Sequence, residues 1–296
     1  MKPQNKITFL GGDARQGKAA LRLAESGYLV YAFAGCPSVS KKINLSENIG
    51  EAIKASSAVI LPLPSSVDGS NLNAPSYDLE SIRLDKIIDL ISVTDKDILL
   101  IGGRIPKPII EHAEQKGLRV IDYFASESFQ IKNAYITAEA AVSIAMNNMK
   151  KSIRGAKFAI TGFGRIAKTL STILIKLGGE VCVLARKKSD LVWAELEGAR
   201  GERICPETFK KACEESDMIF NTVPEWLFYE DELLRMGNST QIVDLASSPG
   251  GVDLSAAKRL GSKVLWASSL PGKYAPESAG DLIAECIEKI LTEEGV

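Results

Sequence analysis

The feature that most constrains the fold is a strand–turn–helix segment at residues 157–179, which read KFAITGFGRIAKTLSTILIKLGG. An apolar strand runs directly into Gly162-x-Gly164-x-x-Ala167, and a helix with apolar periodicity follows. In such a turn the first glycine permits the tight bend, the second lets the backbone approach a pyrophosphate, and the third small residue allows close helix–strand packing. The segment therefore predicts a Rossmann-type domain that holds a dinucleotide at the positive end of a helix dipole.

Similar units recur along the whole chain. Short β-branched runs alternate with helix-length amphipathic stretches, a pattern typical of βαβ units on a parallel sheet. The strand candidates form two sets of five with similar spacing: 7–10, 29–33, 58–61, 98–101 and 119–122, then 157–161, 180–185, 218–221, 241–244 and 263–266. A chain of 296 residues also suits two domains of about 130–150 residues. We predict an α/β protein with two Rossmann-like, doubly wound parallel-sheet domains.

Two helical segments define the expected domain organisation. The Ala-rich stretch at 126–151 predicts a long helix that links the domains. The amphipathic stretch at 279–293 predicts a C-terminal helix that returns to the first domain. We therefore expect a substrate and catalytic domain at 1–133 with 279–296, and an NAD(P)-binding domain at 134–278. A cleft between them would hold substrate and cofactor.

Charge and composition argue against several classes of protein. The net charge of −1 gives no general attraction to nucleic acid or to an anionic membrane. The N-terminus lacks the apolar core of a signal peptide and no apolar run has the length of a membrane span, so we expect a cytoplasmic protein with no membrane or nucleic-acid partner. The cysteines are Cys36, Cys182, Cys205, Cys213 and Cys286. They form no CxxC pair and His112 is the sole histidine, which predicts no metal site and no disulfide framework, with His112 in a structural role.

The end of the second strand in the second domain predicts the cofactor. NAD enzymes usually carry an acid there, which accepts a hydrogen bond from the ribose hydroxyl. This strand instead ends in Arg186-Lys187-Lys188. A guanidinium can grip a 2′-phosphate as a fork, whereas a carboxylate would repel it. NADP is therefore favoured, with NAD as the alternative cofactor and a solvated basic turn as the alternative interpretation.

Later strand ends of the second domain predict further contacts with the cofactor. Asn221-Thr222-Val223-Pro224 follows a strand at the carboxyl edge, where ligands bind in open α/β sheets. We expect Asn221 and Thr222 near the nicotinamide ribose and carboxamide, although turn chemistry alone also favours these residues. The predicted cofactor-binding residues are Gly162, Gly164, Arg165, Ile166, Arg186, Lys187, Asn221, Thr222, Val223 and Pro224.

The first domain opens with a comparable unit, ITFLGGDARQGKAALRLAESG. Aligned with the second domain's turn, Gly11 stands at its first glycine, Asp13 at its second and Gln16 at its alanine. An aspartate at the point of closest phosphate approach would clash and repel, so we expect no second dinucleotide. Arg15 and Gln16 beside the helix N-terminus suit a substrate carboxylate instead. Asp13 also suits the role of helix cap.

Other residues are expected to line the same substrate site. Arg104 follows a strand end, Thr137 and Glu139 lie near the start of the linking helix, and Lys273 lies in a Pro-Gly loop where it could equally face solvent. The predicted catalytic residues are Asp13, Arg15 and Lys273. The predicted substrate-binding residues are Gln16, Arg104, Thr137 and Glu139.

Several motifs occur in order along nearly the whole chain: GGDARQ, AYITAEAA, GFGRIAK followed by ARK, NTVP, DLASSPGGVD and LPGKYAPESAG. Together they resemble the A-subunit family of dipicolinate synthase from endospore-forming bacteria. The resemblance implies oxidation of a dihydrodipicolinate-type precursor to the dicarboxylate dipicolinate (pyridine-2,6-dicarboxylate) for sporulation, with a nicotinamide cofactor. It also implies a partner, the flavoprotein-like B subunit, together with a homo- or hetero-oligomer and a location in the mother cell.

Two other functions fit the same plan. One is a dehydrogenase related to the shikimate or methylene-tetrahydrofolate enzymes, although the lysine and aspartate contexts those families use are absent here. The other is a non-catalytic subunit that binds NADP and serves as a sensor or scaffold.

Overall fold

The computed structural model describes residues 5–35, 40–77, 81–95, 97–237 and 240–296. The chain divides into two compact units, the first formed by Met1–Lys132 with Ala275–Val296 and the second by Asn133–Tyr274. A 22-residue helix, α5 (Glu127–Asn148), passes from the first unit into the second. Each unit is an α/β sandwich around one parallel sheet.

The first unit has a six-stranded sheet. Its strands are β1 (Lys6–Leu10), β2 (Leu29–Phe33), β3 (Ile43–Leu45), β4 (Ala58–Ile60), β5 (Leu99–Gly102) and β6 (Arg119–Asp122). Its helices, besides part of α5, are α1 (Ala14–Glu25), α2 (Ile49–Ile53), α3 (Leu84–Thr94), α4 (Lys107–Gln115) and α12 (Pro276–Glu293). The strand order β3-β2-β1-β4-β5-β6 is that of a doubly wound dinucleotide-binding fold, and the order reverses between β1 and β4.

The second unit repeats this plan. Its strands are β7 (Lys157–Thr161), β8 (Glu180–Ala185), β9 (Arg200–Arg203), β10 (Met218–Asn221), β11 (Gln241–Asp244) and β12 (Lys263–Trp266). Its remaining helices are α6 (Arg165–Lys176), α7 (Lys188–Leu196), α8 (Pro206–Glu215), α9 (Glu230–Leu234), α10 (Leu254–Leu260) and α11 (Leu270–Tyr274). The order β12-β11-β10-β7-β8-β9 places the reversal between β7 and β10.

The predicted fold class is confirmed, but each sheet has six strands where the sequence pattern predicted five. The two additional strands, β3 and β9, lie at sheet edges. Their sequences are INL and RGER, and most of their side chains are at least partly exposed. An edge strand pairs on one side only and need not be apolar, so it carries little of the β-branched pattern by which central strands are recognised.

Apolar packing explains why α5 is helical throughout despite its mixed sequence. Its alanines Ala138, Ala141 and Ala145 are fully buried in the second unit, in one core with Phe158 of β7 and Phe220 of β10. Small side chains let this helix lie close against its neighbours, and alanine is the strongest helix former.

The C-terminal helix α12 packs against α1 within the first unit, as the amphipathic pattern predicts. The two helices meet at Gly280, where a Cβ would lie 2.5 Å from the Cβ of Lys18 and 2.7 Å from the carbonyl oxygen of Arg15. Glycine therefore permits an approach that any larger residue would prevent. The Lys18 ammonium also lies 3.0 Å from a Glu277 oxygen.

The residues expected to be structural occupy ordinary positions. His112 Nε2 and Lys116 Nζ both lie 3.0 Å from Asp89 Oδ1, which ties α4 to α3. Hydrogen bonds from Lys116 and His112 lower the pKa of the Asp89 carboxyl. Cys182, Cys205, Cys213 and Cys286 are free thiols, while Cys36 lies outside the described residues.

The described ranges contain neither a candidate metal site nor a candidate membrane span. These ranges bring together no group of three or more His, Cys, Asp or Glu side chains that could hold a metal ion. Within them, no helix combines the length and apolar character needed to cross a membrane.

Candidate functional site

The turn after β7 requires glycine at its first position for two reasons. Gly162 has φ +85°, in the left-handed region that favours glycine. A Cβ at this position would also lie 2.8 Å from Thr222 Oγ1 and 3.0 Å from Val223 Cγ2. The Gly162 N–H donates to the carbonyl oxygen of Leu184, in the neighbouring strand β8, at 2.8 Å. The turn is thus fixed between the ends of β8 and β10.

The second glycine leaves open space at the start of α6. Gly164 is the N-cap residue, with φ −82°, and a Cβ built on it meets no atom within 4 Å among the described residues. No described side chain caps this helix. Ala167, one turn further on, is fully buried against the sheet. The helix begins with Arg165, which is exposed, and Ile166, which is partly buried. A helix N-terminus that no side chain caps, facing an open glycine surface, is suited to a pyrophosphate.

The basic turn, formed by Arg186 and Lys187, follows the strand next to this site. Arg186 and Lys187 follow β8 directly, and both side chains are exposed. Lys187 is the N-cap residue of α7. The Arg186 Nη1 lies 3.6 Å from a carboxylate oxygen of Glu225, in the loop after β10. Nothing in the sequence pattern points to Glu225, because this contact joins two loops that are far apart in the chain.

Asn221 has a different role from the one predicted. Its side chain is fully buried and donates to the Val223 carbonyl oxygen at 3.0 Å and to Asp244 Oδ1 at 2.8 Å. Its Oδ1 accepts from Thr161 Oγ1 at 2.5 Å. These contacts engage both ends of the amide, so Asn221 has no polar group left for a ribose or carboxamide. Asn221 thus stabilises the loop after β10 through buried hydrogen bonds.

The residues after Asn221 form one wall of the glycine turn. Thr222 Oγ1 donates to the Thr161 carbonyl oxygen at 2.7 Å, and Thr222 and Val223 contact the position where Gly162 would carry a Cβ. Pro224 is exposed at the end of this wall. Thr222 and Val223 are thus placed to fix the turn that would hold the pyrophosphate.

A buried carboxylate, Asp244, organises the neighbouring loop after β11. Its Oδ1 accepts from Asn221 and from the Ala246 N–H at 3.1 Å, while its Oδ2 accepts from the Gly251 N–H at 2.8 Å. A buried charge is tolerated when hydrogen bonds satisfy both oxygens in this way. The sequence pattern indicates that Asp244 ends a strand, but it does not indicate this role.

In the first unit, Asp13 and Arg15 form a closed pair. The Asp13 carboxylate caps α1 by accepting from the Arg15 N–H at 3.0 Å, and it also accepts from Arg15 Nε at 3.0 Å and Nη2 at 2.8 Å. Arg15 Nη2 donates in addition to the Leu63 carbonyl oxygen at 2.6 Å. The Asp13 carboxylate is thus engaged by the helix cap and by its pair with Arg15, which argues against its predicted catalytic role.

Arg15 itself keeps one nitrogen for a ligand. Its side chain is only 8% exposed, and the contacts with Asp13 and Leu63 use Nε and Nη2. Within the described part of the chain, Nη1 has no hydrogen-bond partner. The guanidinium is therefore rigidly held at the carboxyl edge of the first sheet, with one donor group to spare.

Gln16, predicted to bind substrate, is buried at the start of α1. It is 1% exposed, and its Nε2 lies 3.4 Å from the Ile60 carbonyl oxygen of β4, while its Oε1 has no partner among the described residues. A Cβ on Gly12 would lie 2.4 Å from the Gln16 Cβ. Gln16 thus packs beneath the turn, at the position that Ala167 occupies in the second unit.

The other predicted substrate residues belong to three different elements of the two units. Arg104 follows β5, is exposed, and lies with its guanidinium carbon 5.5 Å from the centre of the Phe124 ring. Thr137 and Glu139 lie in the middle of α5, not at its start as expected, because the helix already begins at Glu127. The Thr137 hydroxyl donates to the Asn133 carbonyl oxygen, one turn back, and Glu139 is exposed. Lys273 is exposed on α11 of the second unit.

Tyr123 is a buried polar residue near Arg15 that the sequence did not single out. It is 1% exposed, and its hydroxyl has no hydrogen-bond partner within the described ranges. Burial raises the pKa of this phenol well above its ordinary value, so it stays neutral. A Cβ on Gly103 would lie 2.8 Å from this hydroxyl and 2.8 Å from Leu63 Cδ1, so glycine at 103 gives the tyrosine its room.

Comparison with known proteins agrees with this geometry in both units. Residues 6–124 match the family model of the N-terminal domain of the dipicolinate synthase A subunit. Residues 157–239, which contain the glycine turn, match a model described as NADP oxidoreductase, coenzyme F420-dependent. The second unit is thus a domain of the nicotinamide-dependent oxidoreductase type.

Whole-chain comparisons lead to one family. The A subunit of dipicolinate synthase from Bacillus subtilis (strain 168) is 29% identical, over 97% of this chain and 96% of that protein. The crystal structure of the A chain of dipicolinate synthase from Bacillus subtilis superposes with a TM-score of 0.83 at 26% identity, covering 100% of this chain and 98% of that chain. The corresponding structure from Bacillus halodurans shares the fold, with a TM-score of 0.86 at 24% identity, covering 97% of both chains. These matches confirm the resemblance seen in the sequence motifs: the chain is similar over nearly its whole length to A subunits of dipicolinate synthase.

Proposed function

We propose that the protein oxidises a dihydrodipicolinate-type precursor to dipicolinate with NADP as cofactor, together with a flavoprotein-like B subunit, during sporulation. The observation that carries this proposal is the N-terminus of α6 behind Gly162 and Gly164, where open space meets a helix end that no described side chain caps. In a fold of this kind, that turn is the natural site for a dinucleotide. We assign the cofactor to residues 134–278 and the substrate to residues 1–133 with 279–296.

The second domain offers groups for the pyrophosphate and for the 2′-phosphate of an NADP molecule. The first-turn amides of α6, with Arg165 and Ile166, receive the pyrophosphate, and Thr222 to Pro224 wall the turn beside it. Arg186 and Lys187 are exposed at the next strand end, where they can receive a 2′-phosphate. When bound, the nicotinamide ring supplies the acceptor for a hydride.

The first domain supplies the anchoring cation. Burying an unpaired carboxylate costs several kcal/mol, so a planar dicarboxylate needs a cation or N–H groups at each end. Arg15 offers Nη1 from a guanidinium already fixed by Asp13 and Leu63. Arg104, which is exposed after β5, two strands from β1 in the sheet, is a second candidate cation on this domain. Lys273 of the second domain is a further one.

The proposed reaction needs little acid–base catalysis from the protein. Removal of a hydride from one carbon of a dihydropyridine-type ring and of a proton from its neighbour gives an aromatic ring, and this gain drives the reaction. A bound nicotinamide would accept the hydride, and the proton would pass to solvent. The main tasks of the chain are thus to bind both ligands and to orient them, which accords with an Asp13 that is held in an ion pair.

Absorbance of the reduced nicotinamide tests this proposal. The protein is mixed with NADP and the freshly formed precursor, with and without a B subunit, and reduction is followed together with dipicolinate formation. We expect both signals to rise in equal amounts. Reduction with shikimate or a methylene-tetrahydrofolate, and none with the precursor, would instead indicate the alternative dehydrogenase. Tight NADP binding without reduction in either mixture would indicate a non-catalytic subunit.

A further inference from the structure

The contact between Arg186 and Glu225 crosses the mouth of the glycine turn. Strand β7 lies between β10 and β8, with Thr161 in register with Asn221 on one side and Leu184 on the other. Adjacent strands lie about 4.8 Å apart, so the ends of β10 and β8 are separated by about 10 Å. Arg186 follows β8, and Glu225 follows β10, so their side chains reach towards each other past the turn that begins at Gly162.

We infer that Glu225 is a determinant of cofactor choice in this protein, a role that rests on the proposed function of the turn. An NAD site usually carries an acid at the end of its second strand, and Arg186 occupies that position here. Glu225 brings a carboxylate to the same place from the loop after β10. Its oxygen lies 3.6 Å from the Arg186 guanidinium, the group assigned to the 2′-phosphate.

The charges predict the direction of the effect. A 2′-phosphate carries close to two negative charges at neutral pH, so Glu225 repels it. Arg186 must also break its contact with Glu225 before it can bind the phosphate. The ribose hydroxyl of NAD is neutral and can donate a hydrogen bond to the Glu225 carboxylate. The residue therefore weakens NADP binding relative to NAD and keeps the site open to both cofactors.

Exposure limits the size of the effect. The side chains of Arg186 and Glu225 are 75% and 64% exposed. Solvent and salt screen such a pair, so the dissociation constant for NADP is expected to change only a few-fold, and this change should decrease as ionic strength rises. The same exposure makes substitution of Glu225 safe for folding, because no core contact is lost.

Calorimetric titration of the full-length chain with NADP and with NAD tests the inference. In Glu225→Gln, the dissociation constant for NADP should fall about threefold to fivefold while that for NAD is unchanged or rises. The matched control is Glu214→Gln, which removes the same charge from an exposed carboxylate on α8, 3.8 Å from Lys210. The control should leave the ratio of the two constants unaltered.

An unchanged ratio in Glu225→Gln, or a shift towards NAD, would overturn the inference. A shift equal to that of Glu214→Gln would also overturn it, since general charge would then explain the result. If the parent protein binds neither cofactor, the proposed function fails as well. If the parent binds both and only the Glu225 effect is missing, the proposed function stands and this inference alone is lost.

Discussion

The turns after β1 and β7 share the backbone conformation of their first and third positions, but they differ at the second position, where Gly12 has φ +96° and Phe163 does not have a positive φ. Gly11 and Gly162 both have positive φ, and both donate their N–H to the neighbouring second strand, to Phe33 at 2.9 Å and to Leu184 at 2.8 Å. The N-cap residues also match, with φ −105° and ψ −164° at Asp13 and φ −82° and ψ −170° at Gly164.

A second difference lies in what occupies the helix N-terminus. In the first unit the Asp13 carboxylate already fills the position of an anion, because it accepts the Arg15 N–H and pairs with the Arg15 guanidinium. In the second unit the corresponding space is open above Gly164. The same fold thus gives an internally satisfied turn in one unit and a turn suited to an external phosphate in the other. Fold alone did not decide which one binds a dinucleotide.

The largest effect on the choice between NADP and NAD is expected at the basic turn of the second unit, formed by Arg186 and Lys187. Replacing Arg186 and Lys187 together with alanine should weaken NADP binding by about 2 kcal/mol, or roughly thirtyfold, through lost charge-assisted contacts with the 2′-phosphate. NAD should change little. Calorimetric titration with both cofactors measures this difference. Equal weakening of the two cofactors would contradict the assignment of the 2′-phosphate.

A smaller effect is expected at the first unit's turn. Arg15→Ala should weaken dipicolinate binding to the NADP-loaded protein about tenfold, because one charge-assisted pair is lost, while the affinity for NADP stays the same. Lys18→Ala, further along the same helix and partly exposed, is the matched control and should leave both affinities unaltered.

The Arg15→Ala variant also removes a buried partner of Asp13 and of the Leu63 carbonyl group, so its stability must be measured alongside. Titrations below the unfolding transition, checked by circular dichroism, keep the comparison valid. If Arg15→Ala binds dipicolinate as tightly as the parent protein, the first unit's helix terminus is not the carboxylate site.

The smallest effect should come from Asp13→Asn, which keeps a capping side chain but removes the negative charge paired with Arg15. We expect the free energy of unfolding to fall by about 1 kcal/mol, because Asn remains a good N-cap while the charged bonds are lost. Denaturant unfolding measures this change. Turnover per folded molecule should remain close to that of the parent. A collapse of turnover without loss of stability would mean that Asp13 does take the proton.

Local features of the fold could be predicted from the sequence. The central strands and the turn at Gly162 and Gly164 depend on short-range patterns, namely β-branched runs and a fixed spacing of small residues. The edge strands β3 and β9 escaped prediction because they pair on one side only and are not uniformly apolar.

Side-chain partners could be predicted much less well. The sequence indicates that Asp13 and Asn221 each lie at the ligand-binding edge of their own sheet. Their hydrogen bonds, however, depend on other residues: Asn221 donates to Asp244, and Asp13 pairs with Arg15, which also donates to the Leu63 carbonyl oxygen. Asp244 and Leu63 belong to other strand ends, so the fold must be known before these contacts can be found. The pairing of Arg186 with Glu225 was inaccessible to sequence reasoning for the same reason.

Binding stoichiometry tests the central claim, that only the second turn accepts a dinucleotide, most directly. Titration of the parent protein with NADP should give one site per chain. Gly164→Val should abolish that site while the domain stays folded, since φ is negative at this position and a Cβ there meets no described atom within 4 Å. Its side chain would instead occupy the space of the pyrophosphate. Two sites per chain, or full binding by Gly164→Val, would contradict this claim.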